Sequence, residues 1–85
     1  MNKNKYKILL VEDERNILNF VTALLEANDY QITTARNYEE AKILYFSHIP
    51  YLVVLDLGLP DKDGSNLLKE IRTRDLTPII VLSAR

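Results

Sequence analysis

Three short apolar runs, each closed by a polar residue, constrain this chain more than any other feature. Ile8-Leu9-Leu10-Val11 runs into Glu12-Asp13, Leu52-Val53-Val54-Leu55 into Asp56, and Ile79-Ile80-Val81-Leu82 into Ser83. Runs of this length, apolar on both faces, suit strands buried in a parallel sheet. A first strand is expected over Tyr6 to Val11, and a weaker, edge-like one over Tyr30 to Ala35, where Thr33 and Thr34 interrupt the pattern. Between the strands the spacing turns helical. From Glu14 to Ala27, Ile17, Phe20, Val21, Leu24 and Leu25 predict one buried stripe, with Asp13 as N-cap and Asn28 left-handed after the last turn. Asn37 followed by Glu40 resembles a capping box and opens a second helix through Ala41, Leu44 and Tyr45, which Pro50 prevents from continuing. Gly58, Pro60, Asp61, Asp63 and Gly64 form a turn-rich loop, and a third helix runs from Ser65 to about Arg74 with Leu67, Leu68 and Ile71 inward. Strands that alternate with single helices predict an α/β fold, a parallel sheet with right-handed crossovers.

The bulk properties remove several classes of function. A chain of 85 residues makes one domain, spanning 1–85. Net charge is −1, from 11 basic and 12 acidic residues, which leaves no electrostatic footprint for nucleic acid or an anionic membrane. Without cysteine there is neither a disulfide framework nor a thiolate zinc site. The apolar run Ile8–Val11 is too short for a signal peptide or a membrane span, so a soluble, cytoplasmic protein is expected.

Taken singly, the polar residues at the strand ends have plain explanations. Glu12 and Asp13 suit a helix N-terminus, Asp56 a turn, and Ser83 a strand terminator. Together they mean more, because ends of parallel strands converge on one side. Neighbouring strands lie ~4.8 Å apart. If the first and third strands are adjacent, two carboxylates ~5 Å apart repel by roughly 3 kcal/mol at an effective dielectric near 20. A fold keeps such a cluster only if a cation neutralises it or if a carboxyl titrates upward, and of the cations Mg²⁺ fits best, since it takes one or two carboxylates and reserves a position for a phosphate oxygen. Asp56 is then the candidate nucleophile for a phosphoryl group. Gly58 leaves room for its backbone carbonyl to reach the metal, the Ser83 hydroxyl is placed to donate to a phosphoryl oxygen, and the small Ala84 lets its backbone N–H approach the same oxygen. His48, beside Pro50 at a helix end, reads as a partner of the helix dipole, and the five tyrosines as half-buried packing residues.

LLVEDE (Leu9 to Glu14), VVLDLGLPDKDG (Val53 to Gly64) and PIIVLSAR (Pro78 to Arg85) resemble the receiver domain of two-component response regulators. The wording D-L-G-L-P-D and V-L-S-A-R is similar to the KdpE-like members of the OmpR-type class. The resemblance implies a flavodoxin-like, doubly wound sheet in the order 2-1-3-4, with the site at the switch point between the first and third strands. It implies Asp56 as phospho-acceptor, Asp13 as a direct Mg²⁺ ligand, Glu12 acting mostly through water, the Gly58 carbonyl as a further ligand, and Ser83 as the switch hydroxyl. The implied partner is a sensor histidine kinase, with DNA contacted only through an output domain outside this chain.

The resemblance covers about two thirds of a receiver. The fifth strand, with the lysine and the aromatic switch residue that receivers carry there, would follow Arg85, and the chain is expected to be a fragment. Two consequences are expected: self-association through Ile79–Leu82 as an exposed edge, and weak Mg²⁺ binding with slow or absent phosphorylation. Rival readings are a phosphorylation-incompetent interaction module and a phosphohydrolase with an Asp nucleophile. The latter resembles D-x-D, whereas here the triplet is Asp56-Leu57-Gly58, which lacks the general acid.

Overall fold

The computed structural model describes residues 6–83. Its elements are β1 (Lys7–Val11), α1 (Arg15–Ala27), β2 (Gln31–Ala35), α2 (Tyr38–His48), β3 (Leu52–Asp56), α3 (Ser65–Arg72) and β4 (Ile79–Ser83). Every strand pairing is parallel and the order is β2-β1-β3-β4. Winding therefore proceeds from β1 to β2 on one side and reverses to β3 and β4 on the other, which puts a switch point between β1 and β3.

Successive side chains of a strand point to opposite faces, so each buried run feeds two cores. Leu9, Val11, Val53 and Leu55 pack with Tyr38, Ala41 and Tyr45 of α2 and with Leu67 and Ile71 of α3. Ile8, Leu10 and Val54 face the other way, against Leu18, Val21 and Leu25 of α1. The expected doubly wound arrangement is present, with α1 on one face of the sheet and α2 and α3 on the other.

Helix α1 departs from expectation in three details. Its N-cap is Glu14, whose Oε1 accepts the Ile17 N–H at 2.9 Å, and not Asp13. Asp13 is instead grouped with two other carboxylates. Asn28 is not left-handed (φ −102°). Its side chain donates to the Leu24 carbonyl at 2.9 Å, and the left-handed residue is Asp29 (φ 67°). The apolar residues also form two rows. Leu18, Val21 and Leu25 meet the sheet, while Ile17, Phe20 and Leu24 form a second row that stays exposed. Ile80, Val81 and Leu82 of β4 are exposed as well.

Helix α2 starts as Asn37 and Glu40 suggested. The Glu40 N–H donates to Asn37 Oδ1 at 2.8 Å, and Glu40 Oε1 accepts the Arg36 N–H at 2.8 Å. That second bond lands one residue before the cap. The helix closes on Ile49 in the left-handed region (φ 37°), just before Pro50. Helix α3 stops at Arg72, two residues short of the expected end. Thr73 caps it by donating its hydroxyl to the Glu70 carbonyl at 2.6 Å.

The tyrosines divide by role. Tyr38 and Tyr45 are core residues, and Tyr6 stacks on Tyr51 at the surface with ring centroids 4.1 Å apart. The Tyr45 hydroxyl meets Thr77 Oγ1 at 2.7 Å and donates to Asp75 Oδ2 at 3.1 Å, and burial pushes the phenol pKa up. Among the described residues, no helix is long and apolar enough to cross a membrane.

Candidate functional site: an acidic cluster at the switch point

Glu12 and Asp13 follow β1 directly, and Asp56 closes β3. Val11 pairs with Leu55 across the two strands, so the acids emerge side by side at the carboxyl ends of neighbouring strands. The backbone of Glu12 is held by its N–H to the Ala35 carbonyl at 2.9 Å, which extends the β1–β2 ladder by one bond. Glu12 and Asp56 are fully buried and Asp13 is half-buried. One carboxylate oxygen from each of the three lies within 4.8 Å of the others.

Local hydrogen bonds orient two of these carboxylates. Glu12 Oε2 accepts the Glu14 N–H at 2.9 Å, and Asp56 Oδ1 accepts the Gly58 N–H at 3.0 Å. The donor set is all carboxylate oxygen, the hard chemistry that suits Mg²⁺ and not a thiolate- or imidazole-seeking metal. Three anions this close, two of them out of water, suit a divalent cation in their midst.

The β3–β4 pairing slips at this level. Leu55 pairs with Val81, but Asp56 pairs with Ser83, so the bulge absorbs Leu82 and sets the backbone of Ser83 beside Asp56. Bulges of this kind often lie next to active sites, where they change which residue faces the site. Gly58 sits in the loop directly after β3. Ala84 lies outside the described residues.

The loop from Leu57 to Gly64 shows contacts that spacing did not reveal. Gly64 donates its N–H to the Leu57 carbonyl at 2.8 Å. A Cβ at Gly64 would lie 2.6 Å from the Asp56 carbonyl oxygen and 2.8 Å from the Leu57 Cα. Glycine is required there by the close approach of two backbones, although its φ of −60° is ordinary. Asp63 Oδ1 accepts the Ser65 N–H at 2.9 Å, and that bond is the main reason its carboxyl is held below the usual range. Asp61 reaches farther: its two oxygens accept the Tyr38 N–H at 2.8 Å and the Glu39 N–H at 3.2 Å. The Tyr38 N–H leads the effects that hold the Asp61 carboxyl low. In the sequence these two acids read only as turn formers.

His48, the last residue of α2, is exposed and pairs its Nδ1 with the Ser47 hydroxyl at 2.8 Å. It stands apart from the acidic cluster, as its helix-end position suggested.

A response regulator receiver domain profile matches residues 8–85. The chain belongs to that family. As a receiver, it is 44% identical over 79 residues to the transcriptional regulatory protein KdpE of Staphylococcus aureus, an alignment covering 93% of this chain and 34% of that protein. It is 40% identical over 84 residues to the probable transcriptional regulator ycf27 of Porphyra purpurea, covering 99% and 35%. Among solved structures, the non-phosphorylated HemR receiver domain of Leptospira biflexa superposes with a TM-score of 0.87 at 35% identity, covering 95% of this chain and 66% of that one. The BeF3-activated receiver domain of Klebsiella pneumoniae RstA gives 0.87 at 30% identity, covering 93% and 68%. This receiver spans about a third of the length of the curated relatives it matches.

Proposed function

We propose that Asp56 accepts a phosphoryl group from the phosphohistidine of a sensor kinase. An Asp56 carboxylate oxygen attacks phosphorus. The P–N bond to the donor ring breaks as the O–P bond forms, and the ring leaves as neutral imidazole, its other nitrogen carrying the proton. Asp13 would hold Mg²⁺ directly, together with Asp56 and the Gly58 carbonyl, while Glu12 would act mostly through water. When bound, the ion offsets charge on the transferring group. The Gly58 N–H donates to Asp56 Oδ1 at 3.0 Å and so orients the carboxylate. The Ser83 hydroxyl and the Ala84 backbone N–H receive the phosphoryl oxygens.

The chain is thus a phospho-acceptor whose own carboxylate is consumed, and not an enzyme in the ordinary sense. Transcription control in the full-length protein is supported by the names of its relatives, with DNA reached through an output domain. The setting is cytoplasmic. The observation that carries the reading is the meeting of the Glu12, Asp13 and Asp56 oxygens within 4.8 Å at the switch point. The exposed Ile80, Val81 and Leu82 favour a secondary property, self-association of this chain through β4.

Beryllofluoride with Mg²⁺, followed by amide shifts, tests the acceptor directly. Wild-type protein should respond at Asp56 and Ser83, and Asp56→Asn should not. No response from the wild type, or the same response from the variant, would overturn the assignment.

A further inference from the structure

We infer that Asp61 is a positioning residue: it ties the loop that follows the acceptor to the N-terminus of α2, so that occupancy at Asp56 and the placement of α2 are coupled. This rests on the phospho-acceptor reading and adds a route by which occupancy of the site is felt elsewhere.

The first four N–H groups of a helix have no partner within it, so each must be accounted for. In α2 those of Tyr38, Glu39 and Glu40 divide between two sources. Asn37 takes the Glu40 N–H with its side chain at 2.8 Å, while its carbonyl accepts the Ala41 N–H at 3.0 Å as the first bond of the helix itself. The Tyr38 and Glu39 N–H groups go to Asp61, 23 and 22 residues away in the chain. Two of these three N–H groups are therefore capped by the acceptor loop and not by the helix's own sequence.

Tyr38 fastens the same junction twice more. Lys62, the next residue of the loop, places its ammonium 4.6 Å from the centroid of the Tyr38 ring. The Tyr38 hydroxyl donates to Glu70 of α3, whose other oxygen pairs with Lys42 of α2 at 3.3 Å. The loop, α2 and α3 are thereby joined around one side chain.

At its other end the loop touches the acceptor itself. The Gly58 N–H is bonded to Asp56 Oδ1, and Gly64 closes the loop onto the Leu57 carbonyl with no space for a Cβ against Asp56. A metal ion or phosphoryl mimic at Asp56 draws on the same carboxylate that accepts the Gly58 N–H, and so bears on that contact. Closed at Leu57–Gly64, the loop passes that change to its two contacts with the start of α2, the Asp61 hydrogen bonds and Lys62 over the Tyr38 ring. Asp61 is not a member of the group of three carboxylates, so its influence on the site runs through position and not through ligation.

The experiment compares Asp61→Ala, Asp61→Asn and Asn37→Ala, the last removing an α2 cap that does not come from the loop. Mg²⁺ affinity and the beryllofluoride response of the Tyr38 and Glu39 amides are read well below each melting temperature. Asp61→Ala should weaken Mg²⁺ binding roughly tenfold, the lower end of what partners outside the ligand set contribute, and should abolish the amide response. Asp61→Asn keeps a carbonyl acceptor and should recover part of both. Asn37→Ala should lower stability and leave Mg²⁺ affinity at the wild-type value. The coupling is overturned if Asp61→Ala binds Mg²⁺ like wild type, or if Asn37→Ala weakens it equally. If Asp61→Ala does not fold, an Asp61→Asn variant with wild-type affinity and response overturns it as well. Failure of the wild type itself to bind Mg²⁺ or beryllofluoride would instead bring down the acceptor reading on which the coupling rests.

Discussion

Replacing Asp13 with asparagine should make the metal-free protein more stable and the Mg²⁺-loaded protein no more stable than before loading. Asp13 contributes one of three carboxylate oxygens that lie within 4.8 Å of one another. At that separation a pair of charges repels by about 3 kcal/mol with an effective dielectric of 20 and by about 1 kcal/mol in bulk water. Asp13 is half-buried, and solvent weakens both of its repulsions, so removing its charge should gain about 1–2 kcal/mol in all. For a domain of this size that corresponds to about 4–16 °C in melting temperature. Wild-type protein should recover a similar amount from the cation, about 1.4 kcal/mol when free Mg²⁺ is roughly tenfold above its dissociation constant. The assay is thermal unfolding by circular dichroism at low ionic strength, with chelator and then with Mg²⁺. The two proteins should exchange rank or converge between the two conditions. Asp13→Asn melting at or below wild type in chelator would refute the electrostatic reasoning, as would an equal Mg²⁺ gain in both proteins.

Two other outcomes follow from contacts around the site. Gly64→Ala forces a Cβ to within 2.6 Å of the Asp56 carbonyl oxygen, so it should destabilise by about 1–3 kcal/mol in chemical denaturation and weaken Mg²⁺ binding, because the atom displaced belongs to the acceptor's own backbone; unchanged stability would show that the loop yields freely. The Tyr38–Glu70 bond should give stability a two-sided pH dependence: the hydrogen bond to Glu70, aided by burial, raises the Tyr38 phenol from 10.0 to about 12, while the same bond and the Lys42 ammonium lower the Glu70 carboxyl. The raised phenol contributes fully below pH 10 and loses its contribution as pH climbs toward about 12, whereas the lowered carboxyl contributes above its ordinary range near 4.5 and loses its contribution as pH falls below it. Tyr38→Phe should flatten the alkaline limb of the stability profile, and an unchanged limb would contradict the assignment.

The central strands β1 and β3 were legible because each rests on a run of buried β-formers whose two faces the sheet uses separately, while the strand order came from the family resemblance. The acidic cluster was legible for the same reason: once β1 and β3 are neighbours, the residues that end them must meet. Helix α1 was harder to read. Ile17, Phe20 and Leu24 share the helical period with the buried row, and periodicity alone does not say which row meets the sheet. Asp61 was illegible for a different reason. A carboxylate in a turn caps its own loop in most sequences, and nothing in local spacing signals that its hydrogen bonds close 22 and 23 residues away. The bulge at Leu55/Asp56 was invisible too, since an uninterrupted apolar run gives no sign of where pairing slips, yet it decides that Ser83 lies beside Asp56.

Paramagnetic broadening by Mn²⁺, which favours the same carboxylate and carbonyl oxygens as Mg²⁺, tests the cluster most directly. Substoichiometric Mn²⁺ should first erase the amide signals of Glu12, Asp13, Asp56 and Gly58, leave those of Tyr6 and Tyr51 at the far end of the sheet, and be reversed by excess Mg²⁺. Broadening centred on another acidic group such as Asp63 or Glu70, or spread evenly over the surface, would contradict a metal centre between the ends of β1 and β3.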